Sequence, residues 1–196
     1  MATGVNTKPW DMQVAYIGHS NVKCDVLRPR EIEGVDLTLI SVGGARADTF
    51  FSRPEFRPVL SPGFDLVIVM LGGNDIGPST VMGELVQALK DIHAAIEATG
   101  ATCLVCTIEK REYPTGHPHF VDPVIYNKIC NGVNKKIQKE FKGKIIILGG
   151  RIFPVELRLM DGVHATLEGR QNIWRKVLGA IRFWFERWNP PTTWHK

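Results

Sequence analysis

The chain has 196 residues, of which 44% are hydrophobic and 22% are charged, and its formal net charge is +4. This length favours one α/β domain over residues 1–196, with a single core at about residues 13–188 and short tails. The mild positive charge is spread along the chain and does not by itself predict a nucleic-acid partner. No apolar run has the length of a signal-peptide core or a transmembrane helix, so we expect a cytoplasmic protein.

Five short apolar runs alternate with helical patterns along the chain. The runs are rich in Val, Ile and Leu and show little alternation, as in parallel strands that are covered on both faces. They cover residues 14–17, 37–42, 66–71, 103–108 and 145–148. Prolines interrupt the segments 21–32 and 45–60, which therefore predict short helices or irregular loops.

Three longer segments have the periodicity of amphipathic helices. Gly100 and Gly143 follow the first two as stops, and Asp122-Pro123 and Thr166 begin the second and third. Asn189-Pro190-Pro191 ends the third. The segments cover residues 80–99, 122–142 and 166–188. The alternation of strands and helices predicts a three-layer α/β/α fold with a five-stranded, mostly parallel, flavodoxin-like sheet, whose ligands bind beyond the carboxyl ends of the strands.

Two of the four cysteines form a Cys103-x-x-Cys106 pair that invites a redox or zinc interpretation. The pair lies in the strand-like run ATCLVCTI, where residues three apart point to opposite faces, so the two thiols cannot share a metal. We expect buried structural thiols here, and neither a metal nor an organic cofactor. The pattern with Cys24 and Cys130 does not resemble a disulfide framework, which agrees with a cytoplasmic protein.

Small and polar residues follow the predicted strands at four places: Gly18-His19-Ser20, Gly43-Gly44, Gly72-Gly73-Asn74-Asp75 and Asp161-Gly162-Val163-His164. The first three follow strands that would end at one edge of a parallel sheet, where glycine lets a ligand approach the backbone. Each has an ordinary alternative by itself: an N-cap serine, a turn, a phosphate-binding loop or a surface pair. Their joint presence at one edge favours an esterase-type site.

The chemistry of acyl transfer assigns these residues distinct roles. Ser20 needs an adjacent base to become a nucleophile, and His164 is the candidate base. Asp161 lies three residues before it and can orient the imidazole and stabilise its charged form. The developing oxyanion needs fixed donors, which the N–H groups of Ser20 and Gly44 and the side-chain amide of Asn74 can supply.

Further residues are candidates for contact with substrate. Gly43 and Gly73 flank the predicted oxyanion donors, and Arg46 could reach an anionic group, although solvated surface arginine is an equal alternative. The loop with His117-Pro118-His119 is interpreted as a surface or pocket-rim segment, since further metal ligands cannot be placed there. The C-terminal aromatics favour a helix packed on the sheet, with an exposed patch for a lipid surface or partner as the alternative. They are Trp174, Phe183, Trp184, Phe185, Trp188 and Trp194.

The stretches IGHSN, ISVGGARAD, VMLGGNDI and MDGVHAT occur in this order over about residues 13–185. In content and order they resemble the four blocks of the SGNH (GDSL-like) hydrolases, which have a flavodoxin-like sheet and act as esterases, lipases, thioesterases and carbohydrate deacetylases. The resemblance implies Ser20 as nucleophile, Gly44 and Asn74 as oxyanion-hole residues, and His164 with Asp161 as base and partner. It implies a small-molecule or lipid ester as substrate.

One position departs from the family pattern. The first block usually reads Gly-Asp-Ser, whereas this chain reads Gly18-His19-Ser20. The departure leaves open a catalytically weak or inactive binding domain on the same fold. Some members of the family occur in the first protein of LINE-type retrotransposons, so a lipid- or RNA-associated accessory domain of a mobile element is a further alternative. The sequence contains no pattern that identifies the acyl or alcohol part of the substrate or the oligomeric state.

Overall fold

The computed structural model describes residues 11–22, 33–112, 121–148 and 157–188. A parallel sheet of five strands forms the centre, in the order β2-β1-β3-β4-β5. The strands are β1 (Met12–Gly18), β2 (Val35–Ser41), β3 (Leu66–Met70), β4 (Thr102–Cys106) and β5 (Ile145–Ile146). The predicted α/β class and flavodoxin-like winding are confirmed. The strand order reverses at β1, between β2 and β3, which is where such sheets place ligands.

The long helices lie where the sequence predicts them, with different boundaries. They are α1 (Met82–Glu97), α2 (Pro123–Glu140) and α3 (Leu167–Trp188). Asp122 caps α2 by accepting hydrogen bonds from two backbone N–H groups, and Thr166 accepts one from Gly169 N–H at 3.1 Å. Helix α1 starts two residues later than predicted because the Thr80 hydroxyl bonds the preceding loop, accepting from Gly77 N–H at 2.7 Å. The prediction of a stop at Asn189-Pro190-Pro191 lies outside the described residues.

The proline-interrupted segments form short 3₁₀ helices over their described parts. These are Ser20–Val22, Phe50–Ser52 and Pro54–Leu60. Most of the segment 21–32 lies outside the described residues. No helix in the described ranges is both long enough and apolar enough to cross a membrane.

The sheet divides the predicted single core into two apolar cores, one on each of its faces. Helices α1 and α2 pack on one face, and α3 packs on the other. Cys103 belongs to the first core and Cys106 to the second, so the two thiols face opposite ways, as predicted. Burial raises the pKa of both, which keeps them as thiols. Trp174 of α3 is buried against the sheet, and Trp184, Phe185 and Trp188 pack against the same core, which confirms the packed interpretation for these four aromatics. Phe183 is 46% exposed and does not follow it.

Two predictions about the strands are wrong in detail. Strand β2 lies at the edge of the sheet, so its residues are partly exposed rather than covered on both faces. Strand β5 has two residues instead of four. The Thr107 hydroxyl accepts a hydrogen bond from Leu148 N–H at 2.8 Å, so a side chain replaces the next rung of the ladder between β4 and β5. The predicted strands at 103–108 and 145–148 therefore end early.

Glycine at the end of β1 lets the central strands approach closely. Gly18 has a φ of +156°, and a Cβ at this position would lie 2.1 Å from Met70 O of β3. His19 N–H donates to the same carbonyl at 3.3 Å. The chain therefore turns towards Ser20 at a point where only glycine fits.

Candidate active site

Three of the four sequence blocks meet at the carboxyl edge, the edge of the sheet where the strands end. Gly18 pairs with Ser41 of β2 and with Met70 of β3 in the sheet register. The Ser20 segment and the loops after β2 and β3 therefore leave the sheet side by side. The fourth block precedes α3, and Gly162 O accepts a hydrogen bond from Glu112 N–H at 3.0 Å, which ties this block to the chain beyond β4.

Ser20, His164 and Asp161 form a continuous chain of hydrogen bonds. Ser20 Oγ lies 2.9 Å from His164 Nε2, and His164 Nδ1 lies 2.5 Å from Asp161 Oδ2. With the imidazole proton on Nδ1, the ring donates to Asp161 and accepts from the Ser20 hydroxyl. This is the hydrogen-bond pattern by which a histidine removes a proton from a serine.

Asp161 is held in its ionised form and in one orientation. Its Oδ1 accepts hydrogen bonds from the backbone N–H groups of Val163 and His164, each at 2.9 Å. Partial burial alone would raise the pKa of Asp161, but the His164 ring and these two N–H groups together hold it below its usual value. The carboxylate therefore faces His164 Nδ1 with its other oxygen fixed by the backbone.

The groups predicted to bind an oxyanion are available for that purpose. Asn74 Nδ2 donates one hydrogen to Ala45 O at 2.9 Å, which leaves the second amide hydrogen to point elsewhere. None of the described residues accepts a hydrogen bond from the N–H of Ser20 or of Gly44. Gly44 has a φ of +69°, and a Cβ there would meet no atom within 4 Å. Backbone N–H groups without a protein acceptor can donate to an anionic ligand.

A buried carboxylate joins the loop after β2 to the loop after β3. Asp75 accepts hydrogen bonds from Ala47 N–H at 2.9 Å and from Asp48 N–H at 3.2 Å. Burial raises the pKa of Asp75, and these N–H groups oppose that effect. The link fixes Gly44 and Asn74 relative to each other, since each lies within three residues of it.

The structure separates the three predicted substrate contacts. Gly43 faces open space. Gly73 is buried, and a Cβ on it would lie 2.6 Å from Arg111 Nη2, so its missing side chain makes room for an arginine. Arg46 is half exposed and pairs with Asp48 at 2.5 Å. It borders a cleft of about 190 Å³ together with Asp75, Thr80 and Glu84. Because carboxylates already surround Arg46, its capacity to attract an anion is reduced.

His19, in the position of the usual acid, points away from solvent into a buried polar cluster. Its side chain is 1% exposed, and Nε2 lies 3.6 Å from Glu109 Oε2. Glu109 is 3% exposed, and burial would raise its pKa, but the His19 ring and Arg111 hold that pKa below its usual value. The cluster gives the carboxylate partners for its charge, without which its burial would cost several kcal/mol.

Asn21 connects this cluster to the residues on both sides of His164. The sequence analysis did not predict Asn21 as part of the site. Its Oδ1 accepts from Ala165 N–H at 3.3 Å, and its Nδ2 lies 3.4 Å from Val163 O. The same Nδ2 lies 3.4 Å from Glu109 Oε1. The buried side chain of Asn21, the residue after Ser20, thus contacts the backbone on both sides of His164.

Glu109 and Arg111 were also missed as members of the site. The signal available for them is their place directly after a buried strand, the same signal that drew attention to the other blocks. Among residues 11–22, 33–112, 121–148 and 157–188, no group of three His, Cys, Asp or Glu side chains could hold a metal. His117 and His119 lie outside these ranges, so the expected absence of metal stays a prediction.

Solved structures provide the only comparison that finds similar proteins, because no family model and no curated protein matches this sequence. A carbohydrate esterase of family 3 from Talaromyces cellulolyticus superposes with a TM-score of 0.70 at 16% identity, covering 90% of this chain and 99% of that one. A protein from Slackia heliotrinireducens assigned to the SGNH hydrolases gives 0.65 at 13%, covering 87% and 99%. A lipase/acylhydrolase from Enterococcus faecalis gives 0.64 at 15%, covering 87% and 95%.

Fold and winding together define an open, all-parallel α/β sheet of flavodoxin-like order. Within that class, the chain has the fold of the SGNH hydrolases over most of its length.

Proposed function

We propose that this protein is a serine hydrolase that cleaves carboxylic esters. The observation that carries the proposal is the hydrogen-bond chain from Ser20 Oγ through His164 to Asp161, with distances of 2.9 Å and 2.5 Å. These three residues lie at the carboxyl edge of the sheet, and the solved structures with a similar fold include a carbohydrate esterase and a lipase/acylhydrolase. A serine with only a structural role does not require a histidine that is itself hydrogen-bonded to a carboxylate.

In the acylation half, His164 Nε2 takes the Ser20 proton while Oγ attacks the ester carbonyl carbon. The C–O π bond opens to give a tetrahedral oxyanion, and Asp161 stabilises the imidazolium that forms. The oxyanion accepts hydrogen bonds from Ser20 N–H, Gly44 N–H and the free Asn74 amide hydrogen. Collapse breaks the bond to the alcohol, which takes the proton from His164.

In the deacylation half, water replaces the alcohol. His164 Nε2 removes a proton from the water, whose oxygen attacks the acyl-serine carbonyl. The second tetrahedral intermediate uses the same three donors. Its collapse returns the proton to Ser20 Oγ and releases the carboxylic acid. No redox step or external group is needed to balance this sequence.

The test compares the wild type with Ser20→Ala and with Ser61→Ala, in which an exposed serine is removed as a matched control. Hydrolysis is measured on p-nitrophenyl esters from acetyl to decanoyl and on O-acetylated sugars. We expect Ser20→Ala to lose roughly 10⁴-fold or more in kcat. Ser61→Ala should match the wild type.

Covalent labelling separates this proposal from a non-catalytic binding domain. A fluorophosphonate probe should label the wild type and Ser61→Ala, and should leave Ser20→Ala unlabelled, because only an activated serine reacts. Absence of both labelling and hydrolysis in the wild type would transfer the proposal to the binding domain that the His19 departure leaves open. Binding of RNA that falls steeply with salt would favour an accessory domain instead.

A further inference from the structure

A buried arginine lies behind the predicted oxyanion hole. Arg111 is 3% exposed, and its Nη2 donates a hydrogen bond to Asn74 Oδ1 at 3.0 Å. Its guanidinium carbon lies 5.5 Å from the centre of the Tyr126 ring. The Arg111 backbone is fixed on both sides by Asn127, whose side chain accepts from Arg111 N–H at 3.1 Å and donates to Arg111 O at 3.0 Å.

The surrounding residues are built to admit this guanidinium. Gly73, next to Asn74, is the residue whose Cβ would lie 2.6 Å from Arg111 Nη2. Tyr126 donates its hydroxyl to Gly73 O at 3.1 Å, so the ring beneath the guanidinium also holds the loop that carries Asn74. A buried cation costs free energy unless its surroundings compensate it, and the nearby carboxylate of Glu109 provides opposite charge. The space left by Gly73, the Tyr126 ring and the charge of Glu109 all favour a guanidinium at this position, which indicates that Arg111 has a role there.

Arg111 decides which way the Asn74 amide faces. Guanidinium has only donors, so the atom that faces Arg111 must be the amide oxygen, and the NH₂ group must point to the other side. One of its hydrogens goes to Ala45 O, and the other remains for an oxyanion. A hydrogen bond from a cation to Oδ1 also withdraws electron density from the amide, which makes the remaining N–H a stronger donor.

We propose that Arg111 is a positioning residue for the oxyanion hole, acting through Asn74 by fixing and polarising its side-chain amide. This inference rests on the proposed ester hydrolysis. Since the oxyanion exists only in the transition states and intermediates, the loss of Arg111 lowers kcat and leaves KM nearly unchanged. The effect requires Asn74, because Arg111 itself does not touch the oxyanion.

A double-mutant cycle tests this dependence. Hydrolysis of p-nitrophenyl acetate is measured for Arg111→Met and Arg111→Lys, each in the wild-type and the Asn74→Ala backgrounds. In the wild-type background, we expect Arg111→Met to lower kcat roughly 10- to 100-fold. Arg111→Lys, which keeps the charge and can still donate a hydrogen bond, should restore part of that loss. In the Asn74→Ala background, replacing Arg111 should change kcat less than about twofold.

Two further variants accompany the cycle, one that displaces Arg111 and one that serves as a control. Gly73→Ala keeps Arg111 but pushes its guanidinium away from Asn74, so it should lower kcat in the same way without removing the charge. Arg57→Met removes an exposed arginine and should leave kcat unchanged. Thermal unfolding of each variant shows whether it is folded at the assay temperature.

The outcomes distinguish the two proposals. If Ser20→Ala is inactive and Arg111→Met lowers kcat equally in both backgrounds, Arg111 does not act through Asn74, and this inference fails while the proposed function stands. A rise in KM with unchanged kcat would overturn it too. Activity of Ser20→Ala at the wild-type level would overturn the proposed function and this inference together.

Discussion

A cluster of charged residues at one edge of the sheet differs in burial from a charged pair at the other edge. At the carboxyl edge, His19, Glu109 and Arg111 are each at most 3% exposed. At the amino edge, where the strands begin, the charged pair is Glu97 and Lys144, whose side chains are 30% and 39% exposed. Glu97 also accepts a hydrogen bond from Cys103 N–H at the start of β4. The charged side chains of this cluster are therefore buried, whereas those of the Glu97–Lys144 pair are partly exposed.

From this difference we expect the buried cluster to position the proposed site and the exposed pair to contribute only to the stability of the fold. Burying a charge costs free energy, so buried charges persist where precise placement matters, whereas a solvated pair costs and contributes little. We therefore expect substitutions at the carboxyl edge to change the catalytic rate, and substitutions at the amino edge to change stability by a small amount. The following predictions test this separation in order of decreasing effect.

Asp161→Asn should have the largest effect on rate among these variants. Its amide nitrogen would face His164 Nδ1, which forces the imidazole proton onto Nε2 and removes the acceptor for the Ser20 hydroxyl. We expect kcat for p-nitrophenyl acetate to fall roughly 10³- to 10⁴-fold, with little change in thermal stability. Asp36→Asn, which changes an exposed carboxylate on β2, is the control and should behave as wild type. A similar loss in both variants would remove Asp161 from the mechanism.

Two glycines with positive φ, one at each edge of the sheet, differ in how closely other atoms pack around them. A Cβ on Gly18 would lie 2.1 Å from Met70 O, whereas a Cβ on Gly100, where φ is +95°, would meet no atom within 4 Å. Gly18→Ala should lower the free energy of unfolding by roughly 3 kcal/mol, because the backbone must move. Gly100→Ala should lower it by about 1 kcal/mol from backbone strain alone. Equal losses in urea titrations would contradict the close approach of β1 and β3.

Asn21→Ala should slow catalysis without touching the reacting atoms. The substitution removes the hydrogen bond to Ala165 N–H and the contact with Val163 O, which together hold the residues on either side of His164. A shift of the imidazole relative to Ser20 should lower kcat roughly 10- to 100-fold.

Asn134→Ala is the matched control for this variant. Asn134 also holds backbone, accepting a hydrogen bond from Ile108 N–H and donating one to Ile108 O, each at 2.8 Å. Among the described residues, none of its hydrogen bonds reaches the Ser20 segment or the His164 loop. It should lose stability and keep kcat. Asn21→Ala with wild-type kcat would mean that His164 is positioned by other contacts.

Glu97→Gln should have the smallest effect, confined to stability and dependent on pH. Burial alone would raise the pKa of Glu97, but its contacts with Lys144 and with Cys103 N–H hold that pKa below its usual value. A carboxyl whose pKa is lowered by folding stabilises the protein above its unfolded pKa and loses this contribution as pH falls through its folded pKa. We expect a loss of less than about 1 kcal/mol at pH 7, because the pair is partly exposed.

Urea titrations at several pH values would check this. The difference between the wild type and Glu97→Gln should shrink as the pH falls below the usual range for a glutamate, while kcat at pH 7 stays the same. A difference that grew towards acid pH would contradict a lowered pKa of Glu97 in the folded protein. A loss of kcat would contradict the expectation that this pair contributes only to stability.

What the sequence could and could not predict follows from the range of the contacts involved. The strand ends with Ser20, Gly44 and Asn74 were readable, because each block combines a buried apolar run with small or polar residues that follow it directly. The contacts around Glu109 were not readable. Glu109 itself follows a buried strand, which is a local signal, but its contact with Asn21 joins positions 88 residues apart and leaves no local pattern. Strand β5 was predicted too long because its apolar run continues past the point where the Thr107 hydroxyl interrupts the ladder.

The distance along the chain between Ser20 and His164 has a consequence for folding. Their hydrogen bond joins positions 144 residues apart, so we expect it to form only after the sheet has assembled and the loop before α3 has docked. Contacts of such long range close slowly, because chain entropy must be lost before the contact is gained. Reactivity of Ser20 towards a fluorophosphonate would therefore appear late in refolding, and the time course of labelling would report the completion of the tertiary structure rather than the formation of its helices.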